Sequence, residues 1–322
     1  MAEAMPMPGS GSAESAVTTV APGWALAAVA TLGALVVAAA MLDGALAARA
    51  SGGVGGVTRQ FAEAARLMRQ RRRTTVQADS LLWRTGGGGL LVVAALMVTV
   101  VPLGEWTIFD LDVGVMWFNA MDVMVWALVW LTGWGANATH SLVGGYRFLA
   151  HGLGYELPLM FALVAPAIAA GSLNVGRVAA AQDGLWFAVW MPVAFLVYLL
   201  GVAAFSVWGP FAPAIGADIA GGARAELSGV DRLVFETGRY ALLAAGAAFT
   251  VPMFLGGGAG PLLPGWSWVL VKTLAVLGVL VWVRRRLPAF RPDMFMEVGW
   301  MLLLPAVLLQ DLVVAVVAVW RS

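Results

Sequence analysis

Apolar residues fill eight runs of the chain, at about 23–42, 88–103, 113–134, 155–171, 184–208, 237–256, 266–283 and 298–320. Each approaches the length of about 20 residues at which a helix crosses a bilayer. The run at 88–103 is short and extends into the glycines before it, Gly86 to Gly89. Residues 1–21, rich in Ala, Pro, Gly and Ser, lack the pattern and read as a disordered tail ahead of one polytopic membrane domain over 22–322. That tail carries Glu3 and Glu14 but no basic residue, so no cleaved signal is expected. Between the first two runs, Phe61, Ala64, Ala65 and Met68 recur at helical spacing against Glu63, Arg66 and Arg69. An amphipathic helix along the membrane surface follows, held there by anionic lipid or used to dock a partner. The expected fold class is an all-α integral membrane protein of about eight transmembrane helices plus that surface helix.

Composition sharpens this. The 322 residues are 61% hydrophobic and 11% charged, where soluble domains run near a quarter charged. With no cysteine in the chain, disulfides and thiolate-bound iron–sulfur clusters are excluded within it. The two histidines, His140 and His151, lack the spacing of a metal pair on one helical face. Any redox centre must sit in another polypeptide. Sixteen of the nineteen basic residues fall in alternate loops: eight arginines between Arg49 and Arg84, then Arg147, then Arg224, Arg232 and Arg239, then Arg284, Arg285, Arg286 and Arg291. The positive-inside rule places these loops in the cytoplasm and both termini outside.

Polar residues collect around Gly133–Pro158, which reads as a short polar loop closing on Glu156, two residues into an apolar run. Other acids near the same leaflet are Glu63, Asp218, Glu226, Asp231, Glu236, Asp293 and Glu297, with Arg147, Arg239 and Arg291 as counter-charges. One such acid would be a helix cap or a snorkelling group. Several suggest a polar cavity or a proton path. Asp122, Asp311 and Lys272 each lie deep in an apolar run, so an Asp122–Lys272 or Asp311–Lys272 pair is expected. Glu105, Asp110 and Asp112 read as a solvated turn, and tryptophans such as Trp106, Trp134, Trp208 and Trp266 as interfacial anchors.

The block GWGANATHSLVGGYRFLAHGLGYELPL resembles a segment of the membrane-embedded H subunit of respiratory complex I, the NADH-quinone oxidoreductase. DLDVGVMWF, RQFAEAARLM, ELSG, GPLLP with its following Lys272–Thr273, and LPAFRPDMFMEVGWMLLLP resemble further blocks of that family, from Asp43 to Pro305. The resemblance implies a subunit that binds no cofactor itself, lines a quinone chamber and starts a proton path in the bacterial inner membrane. Ubiquinone or menaquinone would be the substrate. Iron–sulfur clusters, with FMN as a further candidate, would belong to partner subunits, and small membrane subunits would lie alongside; no nucleic acid is implied. Carried over by position, Glu63, Arg66, Arg59, Arg291 and Asp293 belong to the quinone chamber. Glu156, Glu226, Asp218, Glu236, Arg147 and Arg239 belong to the proton path. Two loop glutamates of the family fall at Ala214 and Gly216, leaving Asp218 as the acid there, and a span glutamate falls at Arg239, with Glu236 one turn earlier in a position to replace it. Alternative readings are the anchor subunit of a membrane-bound hydrogenase or formate hydrogenlyase, and a non-catalytic anchor or transporter.

Overall fold

The computed structural model describes residues 17–51, 56–216 and 222–321. In chain order the helices are α1 (Ala25–Ser51), α2 (Gly56–Arg69), α3 (Ser80–Val98), α4 (Gly114–Gly135), α5 (Thr139–Ala170), α6 (Val175–Ala180), α7 (Phe187–Trp190), α8 (Pro192–Phe205), α9 (Gly229–Phe254), α10 (Gly265–Val283), α11 (Pro292–Val298) and α12 (Leu304–Arg321). Among the described residues seven segments are long and apolar enough to cross a membrane: Pro22–Ala50, Ser80–Val98, Gly114–Gly135, Thr139–Ala170, Pro192–Ala214, Gly265–Val283 and Pro292–Trp320. The eighth expected crossing is α9. It has the length of a span, but its first half carries Asp231, Arg232, Glu236 and Arg239, which dilute its apolar character.

α9 is the axis of the bundle, packing against α1, α3, α8 and α10. Its run Ala241–Ala248 is built of alanines, leucines and one glycine, almost all fully buried. Small residues let neighbouring backbones approach where lipid gives no hydrophobic drive for association. The same logic joins α3 to α4: a Cβ on Gly86 would collide with Thr132 Oγ1, and one on Gly89 with the Leu128 side chain. Asp79 starts α3 by accepting from the backbone N–H groups of Leu81 and Leu82 at 3.0 and 3.1 Å. The expected extension of this span into its glycine run is therefore observed.

The loops sort to two ends. At one end Thr18–Thr19 pairs in parallel with Trp106–Thr107, and Gly104 abuts Trp266. The other, arginine-rich end brings Arg73 to Ser228 and Arg284 to Asp43, each contact at 2.8 Å.

Several expectations need correction. Of the expected tail, residues 1–16 lie outside the described residues, but Val17 is buried and Thr18–Thr19 is a paired strand. Trp106 and Thr107 offer a free backbone edge, and that pairing orders the segment. The polar loop within Gly133–Pro158 shrinks to residues 136–138, because α5 begins at Thr139 and carries His140, Arg147, His151 and Glu156 on one continuous helix. Its polar side chains occupy helical positions and do not break the chain. Trp208 is no interfacial anchor: it is 1% exposed, packed edge-on against Tyr240. Lys272 pairs with neither aspartate. Its ammonium donates to the carbonyls of Leu255, Gly257 and Ala259 at 2.7, 3.0 and 2.8 Å and lies 4.7 Å from the Trp186 ring centre. A cation there satisfies the open carbonyls at the C-terminus of α9 and complements its dipole.

The surface helix α2 forms as expected. Leu67 is buried against the bundle, whereas Phe61 and Met68 are 49% and 66% exposed. Gly56 sits so close to Gly44 of α1 that a Cβ on either would collide with the other's carbonyl oxygen. That contact fixes which side faces inward.

Candidate functional site

Two polar regions stand out. The first lies at the arginine-rich end, where Asp43 of α1 is only 3% exposed. Its carboxylate accepts from Arg284 and Arg285 at 2.8 Å each, from the Tyr240 hydroxyl at 3.1 Å and from Gln60 at 3.4 Å. Arg285 also donates to the Asp43 carbonyl at 2.8 Å. One acid thus ties α1, α2, α9 and the end of α10 together. The Arg284 guanidinium stacks 4.4 Å from the centre of the buried Trp208 ring, and Arg239 approaches the same ring at 5.6 Å. Arg239, 2% exposed, donates to Glu236 at 2.6 Å and to the Val207 carbonyl at 2.5 Å. Arg224 reaches the other Glu236 oxygen at 2.5 Å. Asp43 and Glu236 each meet two guanidinium groups, and the Trp208 ring lies between Arg284 of the first set and Arg239 of the second.

This region carries part of the expected sites. Glu236 and Arg239 are brought together, as is Glu63 with Arg66 at 2.6 Å across one helical turn. The Arg66 guanidinium holds the Glu63 carboxyl below its ordinary range. Arg59 is exposed on the same helix. Arg291 and Asp293 pair with each other at 2.8 Å, both largely exposed. Each expected quinone-chamber pair is therefore local to its own segment. Arg147 donates to the Pro213 carbonyl at 3.4 Å, so it reaches the loop where the family's two glutamates fall at Ala214 and Gly216. Glu226 is half-buried before the start of α9, and Asp218 lies outside the described residues.

An aromatic cluster holds that loop in place. Phe211 contacts Phe290 and Phe295 edge-on at 5.7 and 4.7 Å. His151 lies edge-on to Phe211 at 5.2 Å, with Nε2 3.2 Å from the Phe290 carbonyl. This histidine is a packing group, and among the described residues no cluster of metal-ligating side chains occurs.

The second region lies between α4 and α5 in the middle of the bundle. Asn119, Asp122 and Trp126 share one face of α4 at helical spacing, opposite Tyr155 and Glu156. Asn119 donates to a Glu156 oxygen at 3.4 Å, and the Trp126 N–H donates to the Tyr155 hydroxyl at 3.0 Å. Asp122 is fully buried. Both its carboxyl oxygens, the second Glu156 oxygen and the Asn119 carbonyl oxygen are buried without a hydrogen-bond partner. No arginine or lysine pairs with either acid among the described residues. Pro158 shapes the helix here. It has no N–H to offer the Gly154 carbonyl one turn back, and that carbonyl instead faces Gly299, where a Cβ would collide with it. Gly299 opens a π-helical turn, Gly299–Leu303, at the joint between α11 and α12, a local distortion common at functional sites.

The sequence alone singles out Glu156 but not its neighbour, because depth in the membrane points Asp122 towards Lys272. The signal that finds the pair is the spacing Asn119–Asp122–Trp126, a polar face on an otherwise apolar helix.

A family model described as NADH dehydrogenase matches residues 18–315. An NADH-quinone oxidoreductase H subunit of Geobacter sulfurreducens is 38% identical over 205 residues, covering 63% of this chain and 62% of that protein. An H subunit of the same enzyme from Cereibacter sphaeroides is 39% identical over 218 residues, 67% of this chain and 68% of that one. The Geobacillus kaustophilus H subunit is 33% identical over 231 residues, 70% and 69%. The match thus spans about 62% of the length of the first of these relatives.

Proposed function

The chain belongs to the NADH dehydrogenase family, and from that premise we propose that it is the membrane subunit of a proton-translocating, quinone-reducing oxidoreductase. The observation that carries the reading is the pairing of the two polar regions in one bundle. A cation-rich end is built to meet a hydrophilic partner, and an acid site without counter-charge lies at membrane depth. The chain has no cysteine, so electrons reach quinone from clusters in a neighbouring subunit.

In this reading the arginine-rich end faces the cytoplasm of the bacterial inner membrane, both termini lie outside, and the chain from Val17 onward forms one domain. The outward-turned Phe61 and Met68 on α2, flanked by Glu63, Arg66 and Arg59, border the quinone chamber together with Arg291 and Asp293. Charge arriving on reduced quinone draws protons inward past Glu226, Asp218 and Arg147 towards Glu156. Glu236, clamped by Arg224 and Arg239, serves as a fixed negative charge at the entrance and keeps Arg239 neutralised. A buried guanidinium without that partner would carry a large desolvation cost.

The test is isolation of the tagged full chain in mild detergent with identification of what travels with it. The reading predicts subunits bearing cysteine-ligated iron–sulfur clusters and electron transfer to added quinone. Recovery alone, or with a nickel-ligating partner, would overturn it.

A further inference from the structure

We propose that Asp122 is a second proton-holding group of the mid-membrane site, sharing its proton with Glu156 across the α4–α5 contact. The proposal deepens the functional reading above and rests on it for the direction of proton flow. Its structural part stands independently.

A fully buried carboxylate needs hydrogen-bond donors or a cation. Asp122 has neither: both oxygens are enclosed and unpartnered. Glu156 has one long contact from Asn119, the Trp126 N–H nearby, and one enclosed oxygen without a partner. Asp122 lies between Asn119 and Trp126 on the face of α4 that bonds Glu156 and Tyr155, and two acids so placed in apolar surroundings cannot both be charged. A proton held by the pair removes the repulsion and supplies the missing donor. The other ionisable groups near Asp122 are hydroxyls: Tyr155 on α5, which accepts from Trp126, and Tyr198 on α8, which donates to the Gly246 carbonyl at 3.0 Å. The basic groups on the neighbouring helices are engaged or placed elsewhere. On α5, Arg147 reaches the Pro213 carbonyl and His151 the Phe290 carbonyl. The charged side chain of α3, Arg84, sits near its start at the arginine-rich end.

The two members are not equivalent. Asp122 is sealed in the bundle, whereas Glu156 is only partly buried. Glu156 is the member that exchanges protons, and Asp122 holds the one that refills it. When Glu156 gives up a proton on the outward side, the Asp122 proton moves to it, and a second proton that reaches Glu156 from the arginine-rich side is passed back so that the pair is restored. One proton enters for each that leaves.

Infrared difference spectroscopy of the purified complex reads this directly, through the carbonyl stretch of a protonated carboxyl in a water-poor site. Asp122→Asn should remove one such band, Asp122→Glu should keep it at a shifted position, and Glu156→Gln should displace it. A spectrum unchanged by Asp122→Asn, or an Asp122 band indifferent to Glu156→Gln, overturns the proposal. Should Asp122→Asn fail to assemble, the Asp122→Glu and Glu156→Gln shifts decide alone. The band requires no turnover, so its presence in a complex without quinone-linked proton transfer would overturn the functional reading and leave the pair intact. Proton transfer should fall on the order of 100-fold in Asp122→Asn, the scale of a lost proton donor, and recover in Asp122→Glu.

Discussion

Two polar regions share this bundle, and they treat buried acids in opposite ways. At the arginine-rich end Asp43 and Glu236 are each held by two guanidinium groups at 2.5–2.8 Å. Between α4 and α5, Asp122 and Glu156 have no cation at all among the described residues. An acid clamped by arginines fixes the helices it touches. One in apolar surroundings without a partner is free to hold and release a proton. The first region fastens the fold; the second is the one proposed to move protons.

The largest effect is expected at Asp43. Asp43→Ala leaves two guanidinium groups and the Tyr240 hydroxyl without their shared acceptor, and breaking such a buried pair costs roughly 3–5 kcal/mol. Thermal unfolding of the detergent-solubilised chain should show the loss, with Asp43→Asn intermediate. A variant as stable as the parent would mean that the network is not a fastening. Lys272→Met inverts the design, removing a cation that has no acid. Three carbonyls lose their donor, and a penalty of about 1–3 kcal/mol is expected, read as earlier proteolysis of the turn that follows α9. The smallest effect belongs to Glu63→Gln. This surface pair lies on a half-exposed helix, so solvent screening limits it to about 0–1 kcal/mol. Because Arg66 lowers the Glu63 carboxyl below its ordinary value of 4.5, any contribution is present above that value and fades as pH falls through the lower folded one. Stability curves of parent and variant against pH should therefore converge in acid; divergence there would reverse the sign.

Much of the architecture is legible in the sequence because the bilayer imposes one length on every apolar run. Seven crossings follow from hydropathy, and the eighth, α9, follows from length and its alanine-rich second half. What stays hidden depends on contacts between helices. Nothing in the run around Lys272 announces that three loop carbonyls will gather at its ammonium. The apolar stripe of α2 is visible, but its outward turn is decided by the approach of Gly56 to Gly44. Gly133–Pro158 looks like a loop because its polar residues interrupt hydropathy, yet most of them continue one helix that presents Glu156 to α4. Asp122 is recognisable as costly but not as a partner, since pairing across helices is set by packing.

Proton uptake measured in vesicles containing the assembled complex with Glu156→Gln tests the central claim most directly. Electron transfer to quinone should continue, because the substitution leaves the arginine-rich end untouched. Proton transfer coupled to it should fall on the order of 100-fold, the scale of a lost proton donor. Undiminished proton transfer in that variant would contradict the account.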